Sequence, residues 1–582
     1  MNDQLGNEGF FTSFDGVELF YRHWISSASG KKAVILLHRG HEHSGRVASL
    51  FHDLNLDGFQ GFAYDMRGHG KSPGERGVAE NYGVLIKDLN AFMNHIRDSH
   101  GIATTDMALV ANSVGAVNAV TWLHDYGVQV RCMVLAAPAF RIKLYVPLAI
   151  PGLRLLSRIN NHAMVTSYVR SSMLTHDVAQ AKSYDDDKLV TRKISVRVLL
   201  GLYDAATRIL DDAGSIDVPT LVISAGADYV VQNKAHEQFI NGISSSRKEH
   251  ITYPGMHHAI FYETNRTAVI EKARQFIVTS FEVAADEEKL LTADQQGFTK
   301  REYDQLHLPA SFAKKIFFGS QILSMKSLGK MSKGIRLGLD TGFDSGKSLD
   351  HVYKNKAEGS TAIGKIIDRG YLDAIGWRGI RLRKDNLKYW LSFAIKKSSH
   401  KSTPVCIMDI ASGPGRYLLE LKRDLPDKCT LILRDNVQAN LDEARKIADD
   451  WALDGVSYIL ADAFDVKQYA QQTAKPATKP DIVVISGLFE LFPANEKIVQ
   501  ALKAIANVIA PGGYLIYTGQ PWHPQIELIA RTLTNREGKP WIMRRRSQAE
   551  LNALIQHAGF ERMDSRIDDY GIFTVSLARK AG

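Results

Sequence analysis

The chain has 582 residues, 45% hydrophobic and 23% charged, a globular balance in a length that exceeds one ordinary core. Its net charge of +9 is modest and obliges no polyanionic partner, and no run of about 18 apolar residues is present to cross a membrane. Three scattered cysteines, Cys132, Cys406 and Cys429, offer neither a disulfide framework nor metal-ligand spacing, and the first residues lack the pattern of a secretory leader, so a reduced, cytoplasmic protein is expected.

The first 280 residues alternate strand-like and helix-like segments. KAVILLH, GFAYDM, MALVANS, CMVLAAP and TLVISAG are the strand candidates, beginning at Lys32, Gly61, Met107, Cys132 and Thr220. This rhythm predicts an α/β domain over 1–284 with a mostly parallel sheet. From about 141 to 215 the pattern is helical without a convincing strand, as in a lid inserted between two strands. Residues 285–345 read as a basic, partly helical connection. No acidic residue occurs from Gln305 to Leu339, and FAKKIFFGSQILSMKSLGKMSKGIRL mixes apolar residues with lysines. Two readings remain open there: packing on a neighbouring domain, or contact of 313–336 with an anionic membrane surface, which would make the protein peripheral at the inner membrane. Alternation resumes over 346–582, where VCIMDIA, CTLILRD, SYILAD, DIVVISG and GYLIYTG predict a second, Rossmann-like α/β domain.

A serine hydroxyl becomes a nucleophile when a histidine takes its proton and a carboxylate orients that histidine. In LVANSVGAV, Ser113 ends a strand candidate and precedes a helix; Asp228 follows TLVISAG; His257 and His258 follow ITYPG. Each falls at a strand end in the order Ser, Asp, His. Ala111 stands where the G-x-S-x-G pattern has glycine, but it stays small and Gly115 is retained.

These residues, with LLHRGHEHSGR and FAYDMRGHGKSPGERG, resemble the α/β-hydrolases of the monoglyceride lipase and lysophospholipase type across residues 10–280. The resemblance implies a serine ester hydrolase acting on a lipid-like ester. It also implies a catalytic histidine three residues after a glycine and five before a glutamate, a spacing that Gly255, His258 and Glu263 meet, selecting His258 over His257. Backbone N–H groups of Val114 and Gly40 are expected as oxyanion donors. The loop reads His38–Arg39–Gly40–His41 where the family has His–Gly, and Arg39 is either a surface arginine or a contact to an anionic head group. The resemblance accounts for His38 and the E-H-S-G run without metal, so none is expected.

In the second half, DIASGPGRYLLEL follows an apolar strand and opens a helix, a turn that lets backbone approach a ligand closely. No Lys-Ser/Thr follows the glycines, against a P-loop, and GxGxxG is not met, against an NAD site. The acids at successive strand ends, Asp409, Asp435 and Asp462, complete a series that resembles the class I S-adenosylmethionine-dependent methyltransferases. That resemblance implies S-adenosylmethionine as cofactor. Asp409, Gly413 and Gly415 would lie against its methionine part, Asp435 on its ribose, and Asp462, Ala463 and Phe464 around its adenine. The stretches GFDSGKSLDHVYKN, AIGWRGIRLRK and QPWHPQIE look like one bacterial methyltransferase family whose members can be fused behind a hydrolase.

Glu490, Trp522 and His523 are candidates for the acceptor side or for structural roles. Arg544–Arg546 read as a solvated charge run or a phosphate contact. A bifunctional enzyme is therefore expected, with two alternatives: a methyltransferase carrying a non-catalytic hydrolase-like domain, or a nucleic-acid methyltransferase. No nucleic acid is expected, because the basic residues are not interleaved with stacking aromatics.

Overall fold

Short apolar runs bounded by turn residues become the central strands of two separate sheets. The computed structural model describes residues 5–25, 30–283, 288–398, 404–465 and 479–581. The chain divides near residue 286 into two compact units. Among the described residues no helix is long and apolar enough to cross a membrane.

In the first unit the strands are β1 (Asn7–Thr12), β2 (Glu18–Trp24), β3 (Lys32–Leu37), β4 (Phe59–Tyr64), β5 (Met107–Asn112), β6 (Cys132–Ala136), β7 (Met164–Thr166), β8 (Lys193–Ser195), β9 (Thr220–Ala225) and β10 (Lys248–Tyr253). Eight form one sheet in the order β1-β2-β4-β3-β5-β6-β9-β10. The leading β1–β2 hairpin joins β4 antiparallel, and the remaining pairs are parallel. β5, β6 and β9 are buried along their whole length, which is why they read as unbroken apolar runs. This is the α/β-hydrolase fold.

Residues 141–215 carry the helices Ala149–Ile159, Val178–Asp186 and Val196–Asp211. They also hold the antiparallel β7–β8 ribbon, which corrects the expectation of a strand-free lid. Strands of three residues are too short to display a period of two.

The second unit holds β11 (Val405–Asp409), β12 (Cys429–Asp435), β13 (Val456–Leu460), β14 (Ile482–Ile485), β15 (Tyr514–Gly519), β16 (Phe560–Ile567) and β17 (Thr574–Lys580). Their order is β13-β12-β11-β14-β15-β17-β16, parallel from β13 to β15 and closed by an antiparallel β16–β17 edge. Strand order reverses between β11 and β14, the place where doubly wound sheets open a crevice at their carboxyl ends.

Residues 288–345 are not a loose connection. Asn495 N donates to Asp294 Oδ2 (2.8 Å), Thr299 Oγ1 lies 3.3 Å from Glu550 Oε2, and Lys314 Nζ pairs with Glu527 (2.6 Å). The expected linker is thus the opening part of the second unit. Its partners lie about 200 residues onward, where local periodicity carries no sign of them.

Candidate active sites

Ser113 leaves β5 at a left-handed φ of 54°, and the helix Val114–Tyr126 starts behind it. Such a conformation costs an L-residue about 1–2 kcal/mol. It is pinned here by Ser113 N donating to Ala136 O (3.0 Å) and Ala139 N donating to Ser113 O (3.1 Å). Gly115 is required by a close approach, since a Cβ there would sit 2.7 Å from the carbonyl oxygens of both Leu37 and His38.

Ser113 Oγ lies 2.9 Å from His258 Nε2, and His258 Nδ1 lies 2.8 Å from Asp228 Oδ2. Asp228 Oδ1 accepts the amides of Val230 (2.6 Å) and Val231 (2.9 Å). All three side chains are buried. Burial pushes the Asp228 carboxyl up, but His258 and these amides outweigh it and hold the group below the ordinary carboxylate value. The three predicted residues are therefore brought together in a nucleophile–base–orienter chain. Glu263, used in the sequence only as a spacing mark, accepts the amides of His257 (2.7 Å) and His176 (3.0 Å) and so fixes the turn that presents His258. Its carboxylate and the His176 and His257 rings place ligand atoms within 4.8 Å of one another, the one such cluster among the described residues.

Ser113, Val114 and Gly40 border a cavity of about 180 Å³ whose walls include Leu85, Leu144, Leu174, Leu202 and Val230. The positive φ in this loop falls on His41 (71°), one residue beyond Gly40. Arg39 is not a surface arginine: it is buried, donates to both oxygens of Glu42 (Nε to Oε2, 2.9 Å), and lines the same cavity as Ser113. Burial raises the Glu42 carboxyl, yet Arg39 and Arg46 hold it at about 2. His38 turns to Arg39 O (2.7 Å) and the Met66 amide (3.2 Å), and His43 to Asp187 (2.9 Å), so these rings serve separate partners.

In the second unit a cavity of about 570 Å³ opens at the carboxyl ends of β11, β12, β14 and β15. Gly413, Gly415, Asp435, Asp462, Ala463 and Phe464 all line it. Gly413 and Gly415 have φ of 54° and 62°, which favours glycine. Gly413 N donates to Asp435 Oδ2 (2.8 Å), while Asp435 Oδ1 accepts Val437 N (2.9 Å) and Asn440 Nδ2 (3.0 Å). Asp462 Oδ1 accepts the Phe464 amide (2.9 Å), and the Phe464 ring meets Phe492 at 4.4 Å.

Asp409 is placed differently. It is fully buried behind the loop and does not line the cavity; its oxygens accept Tyr417 Oη (2.5 Å) and Ala411 N (3.1 Å). Burial pushes its carboxyl up to about 7.

A family model described as "Putative methyltransferase" matches residues 273–580, more than half of the chain. The chain belongs to this methyltransferase family. A second model, described as "Serine aminopeptidase, S33", matches residues 28–265, the unit that holds Ser113. The Escherichia coli protein YnbC is 40% identical over 585 residues, spanning 99% of this chain and 99% of its own. Monoacylglycerol lipase of Mycolicibacterium smegmatis is 23% identical over 280 residues, 47% of this chain and 97% of the relative. Among solved structures, the Paleococcus ferrophilus monoacylglycerol lipase aligns with a TM-score of 0.42 at 23% identity, covering 45% of this chain and 99% of that chain.

In the methyltransferase-family unit, two of the three acceptor-side candidates reach the cavity. Glu490 lines it with Oε1 3.9 Å from Arg383 Nη1. His523 lines it as well, and its Nδ1 accepts Gln525 N (3.1 Å). Burial lowers the His523 ring to about 4, so it is neutral at pH 7, with its proton on Nε2. Trp522 instead packs against the aromatic cluster of Phe343, Trp377, Trp541 and Phe573.

Arg544–Arg546 are not a solvated run or a phosphate contact. All three are buried: Arg544 pairs with Glu550 (2.7 Å), Arg545 with Glu302, and Arg546 donates to Asn495 Oδ1 (2.8 Å) and Phe489 O (2.7 Å). Sequence reasoning also missed Arg383 and Gln520 on the cavity wall. Gln520 directly follows β15, a strand-end position that could have flagged it. Arg383 lies inside a long basic helix, Ile375–Ser398, where its charge resembles its neighbours'.

Proposed function

We propose that the protein is a bifunctional enzyme, a serine ester hydrolase joined to an S-adenosylmethionine-dependent methyltransferase. The observation that carries the first half is the unbroken chain Ser113–His258–Asp228 bordering an apolar cavity. Ser113 Oγ attacks the ester carbonyl while His258 Nε2 takes its proton, and Asp228 holds the imidazole in the required tautomer. The Val114 and Gly40 amides receive the developing oxyanion. His258 then returns the proton to the leaving alcohol, and water releases the acyl group by the same relay. A lipid-like ester suits the lining of Leu85, Leu144 and Leu202, and the relative from Mycolicibacterium smegmatis carries the name of a monoacylglycerol lipase.

For the second half, the residues present fit an adenosyl ligand. The left-handed Gly413–Gly415 turn leaves open space where a Gly413 side chain would project, Asp435 stands beside it to receive ribose hydroxyls, and Asp462, Ala463 and Phe464 supply a polar and aromatic edge for adenine. S-adenosylmethionine would supply an electrophilic methyl group. The chain's own residues hold and align the reactants, which can provide much of the rate without a general base. The setting is cytoplasmic, with peripheral contact at an anionic membrane through 313–336.

Ester turnover is measured for wild type and Ser113→Ala; a loss of about 10³-fold or more is expected, and equal turnover refutes the hydrolase. Calorimetric titration with S-adenosylmethionine, with Asp435→Ala as control, tests the second half; no heat from the wild type refutes it.

A further inference from the structure

We infer that the methyl acceptor is a membrane-resident amphiphile, drawn from an anionic bilayer that docks against the helix Phe312–Lys326 and its neighbour Ala362–Leu372. This rests on the methyl-transfer reading above and adds the class of acceptor and the route by which it arrives.

The helix Phe312–Lys326 has two unlike sides. Phe312, Ile316 and Leu323 are 79%, 60% and 70% exposed, and their spacing of four and then seven residues places them on one stripe. On the opposite side Phe318 is buried, and Gln321 and Met325 line the cavity of the methyltransferase unit. One helix therefore forms a wall of the cavity with one side and presents bare apolar side chains to the surroundings with the other.

Exposed apolar side chains also stand on the turn that follows and on a second helix. Leu328, just beyond this helix, is 62% exposed, and Ile363 and Ile366 on Ala362–Leu372 are 61% and 72% exposed. The turn Leu328–Met331 packs against both helices and links them: Ser360 N donates to Met331 O (3.1 Å), and a Cβ on Gly364 would meet that same oxygen at 2.4 Å. Asp368 locks the arrangement by accepting Ser332 Oγ (2.6 Å) and the Gly334 amide (2.7 Å), with His351 Nε2 at 3.0 Å.

Charge selects the occupant. Lys314 and Lys333 are neutralised by Glu527 and Glu358. Lys315, Lys326, Lys330 and Lys365 are exposed and form no ion pair among the described residues. An apolar stripe bordered by uncompensated lysines matches an anionic bilayer, whose acyl region takes the side chains and whose head groups attract the ammonium groups.

Position selects the role. The helix Ile526–Thr532, which follows β15, packs beside Phe312–Lys326, and its Leu528 and Ile529 line the cavity with Met325. Asp435 ends β12, three strands away from β15 in the sheet, about 14 Å at the usual strand spacing. The docking face thus borders the end of the cavity remote from the adenosyl residues. An amphiphile can place its head group inside while its acyl chains stay in the bilayer.

Flotation of the full chain with vesicles tests this, using phosphatidylcholine alone or mixed with phosphatidylglycerol, beside the variant Phe312→Ser/Ile316→Ser/Leu323→Ser. These side chains are exposed, so the variant should retain wild-type circular dichroism and S-adenosylmethionine affinity. The wild type should float with mixed vesicles, and the variant should bind them about tenfold or more weakly. Label from methyl-radiolabelled S-adenosylmethionine, incubated with membrane extract, should partition into the organic phase. Wild type that stays soluble with mixed vesicles, a variant that floats equally well, or label confined to aqueous products or protein would overturn the inference. S-adenosylmethionine binding without flotation sinks this inference, and the peripheral contact through 313–336 with it, but leaves methyl transfer standing, whereas absence of S-adenosylmethionine binding sinks the methyl-transfer reading whatever the vesicles show.

Discussion

Replacing Asp409 by asparagine removes one ionisable group from the interior of the methyltransferase unit while keeping its shape. The amide oxygen can still accept Ala411 N, and the amide nitrogen can donate to the Tyr417 hydroxyl oxygen, replacing the bonds seen at 3.1 and 2.5 Å. Burial raises the carboxyl from its ordinary 3.8 to about 7. Because the folded value lies above the unfolded one, the group's stabilising contribution is complete below pH 3.8 and is lost as pH rises through 7. Between about pH 5 and pH 8 roughly two units of the shift come into play, or about 2.5 kcal/mol. Urea unfolding of wild type and Asp409→Asn across that range should show the variant gaining about this much on the wild type as pH rises. The first unit is common to both proteins and cancels in the difference. Parallel pH profiles would show that Asp409 is ionised at neutral pH like any surface carboxylate, and the reasoning would fall.

Gly115→Ala drives a Cβ against the Leu37 and His38 carbonyl oxygens at 2.7 Å; calorimetry should show a loss of about 1–3 kcal/mol, and ester turnover should fall as the nucleophile turn shifts. Glu550→Gln leaves Arg544 and Arg546 buried without their carboxylate, and chemical unfolding should report a cost of about 3–5 kcal/mol. Glu42 lies the other way from Asp409: its folded value of about 2 is below the ordinary 4.5. Its stabilisation of about 3 kcal/mol is therefore present above pH 4.5 and lost as pH falls toward 2. A Glu42→Gln variant should lose that acid-dependent part of the unfolding profile.

The convergence of Ser113, Asp228 and His258 was legible because each sits at a strand end inside a local signature, and their chain order constrained all three. The central strands were legible for a related reason: burial on both faces writes a continuous apolar run. The edge strands β16 and β17 were missed, since their alternating and charged residues resemble a surface segment. Arg544–Arg546 were misread because charge in a one-dimensional pattern signals solvent, and only the fold brings Glu302 and Glu550 to meet them; the surface reading of Arg39 failed in the same way. Asp409 was expected against the methionine part of a cofactor, yet it is buried off the cavity. Whether its carboxylate faces a ligand or the core depends on Tyr417, eight residues onward on the next helix. The left-handed residue of the His38–His41 loop could not be placed either, since the glycine stands one residue before the positive φ.

The buried arginine run also governs where this protein can be cut. A fragment starting at residue 346 would carry every residue that lines the glycine loop, yet it would discard Glu302 and Thr299, the partners of Arg545 and Arg544. It would leave guanidinium groups sealed in the interior with lost counterparts, and such a fragment should be insoluble or molten. A cleavage site before Glu288 spares these bonds. Limited proteolysis should accordingly yield a resistant C-terminal piece that begins nearly sixty residues earlier than the glycine-loop domain alone would suggest.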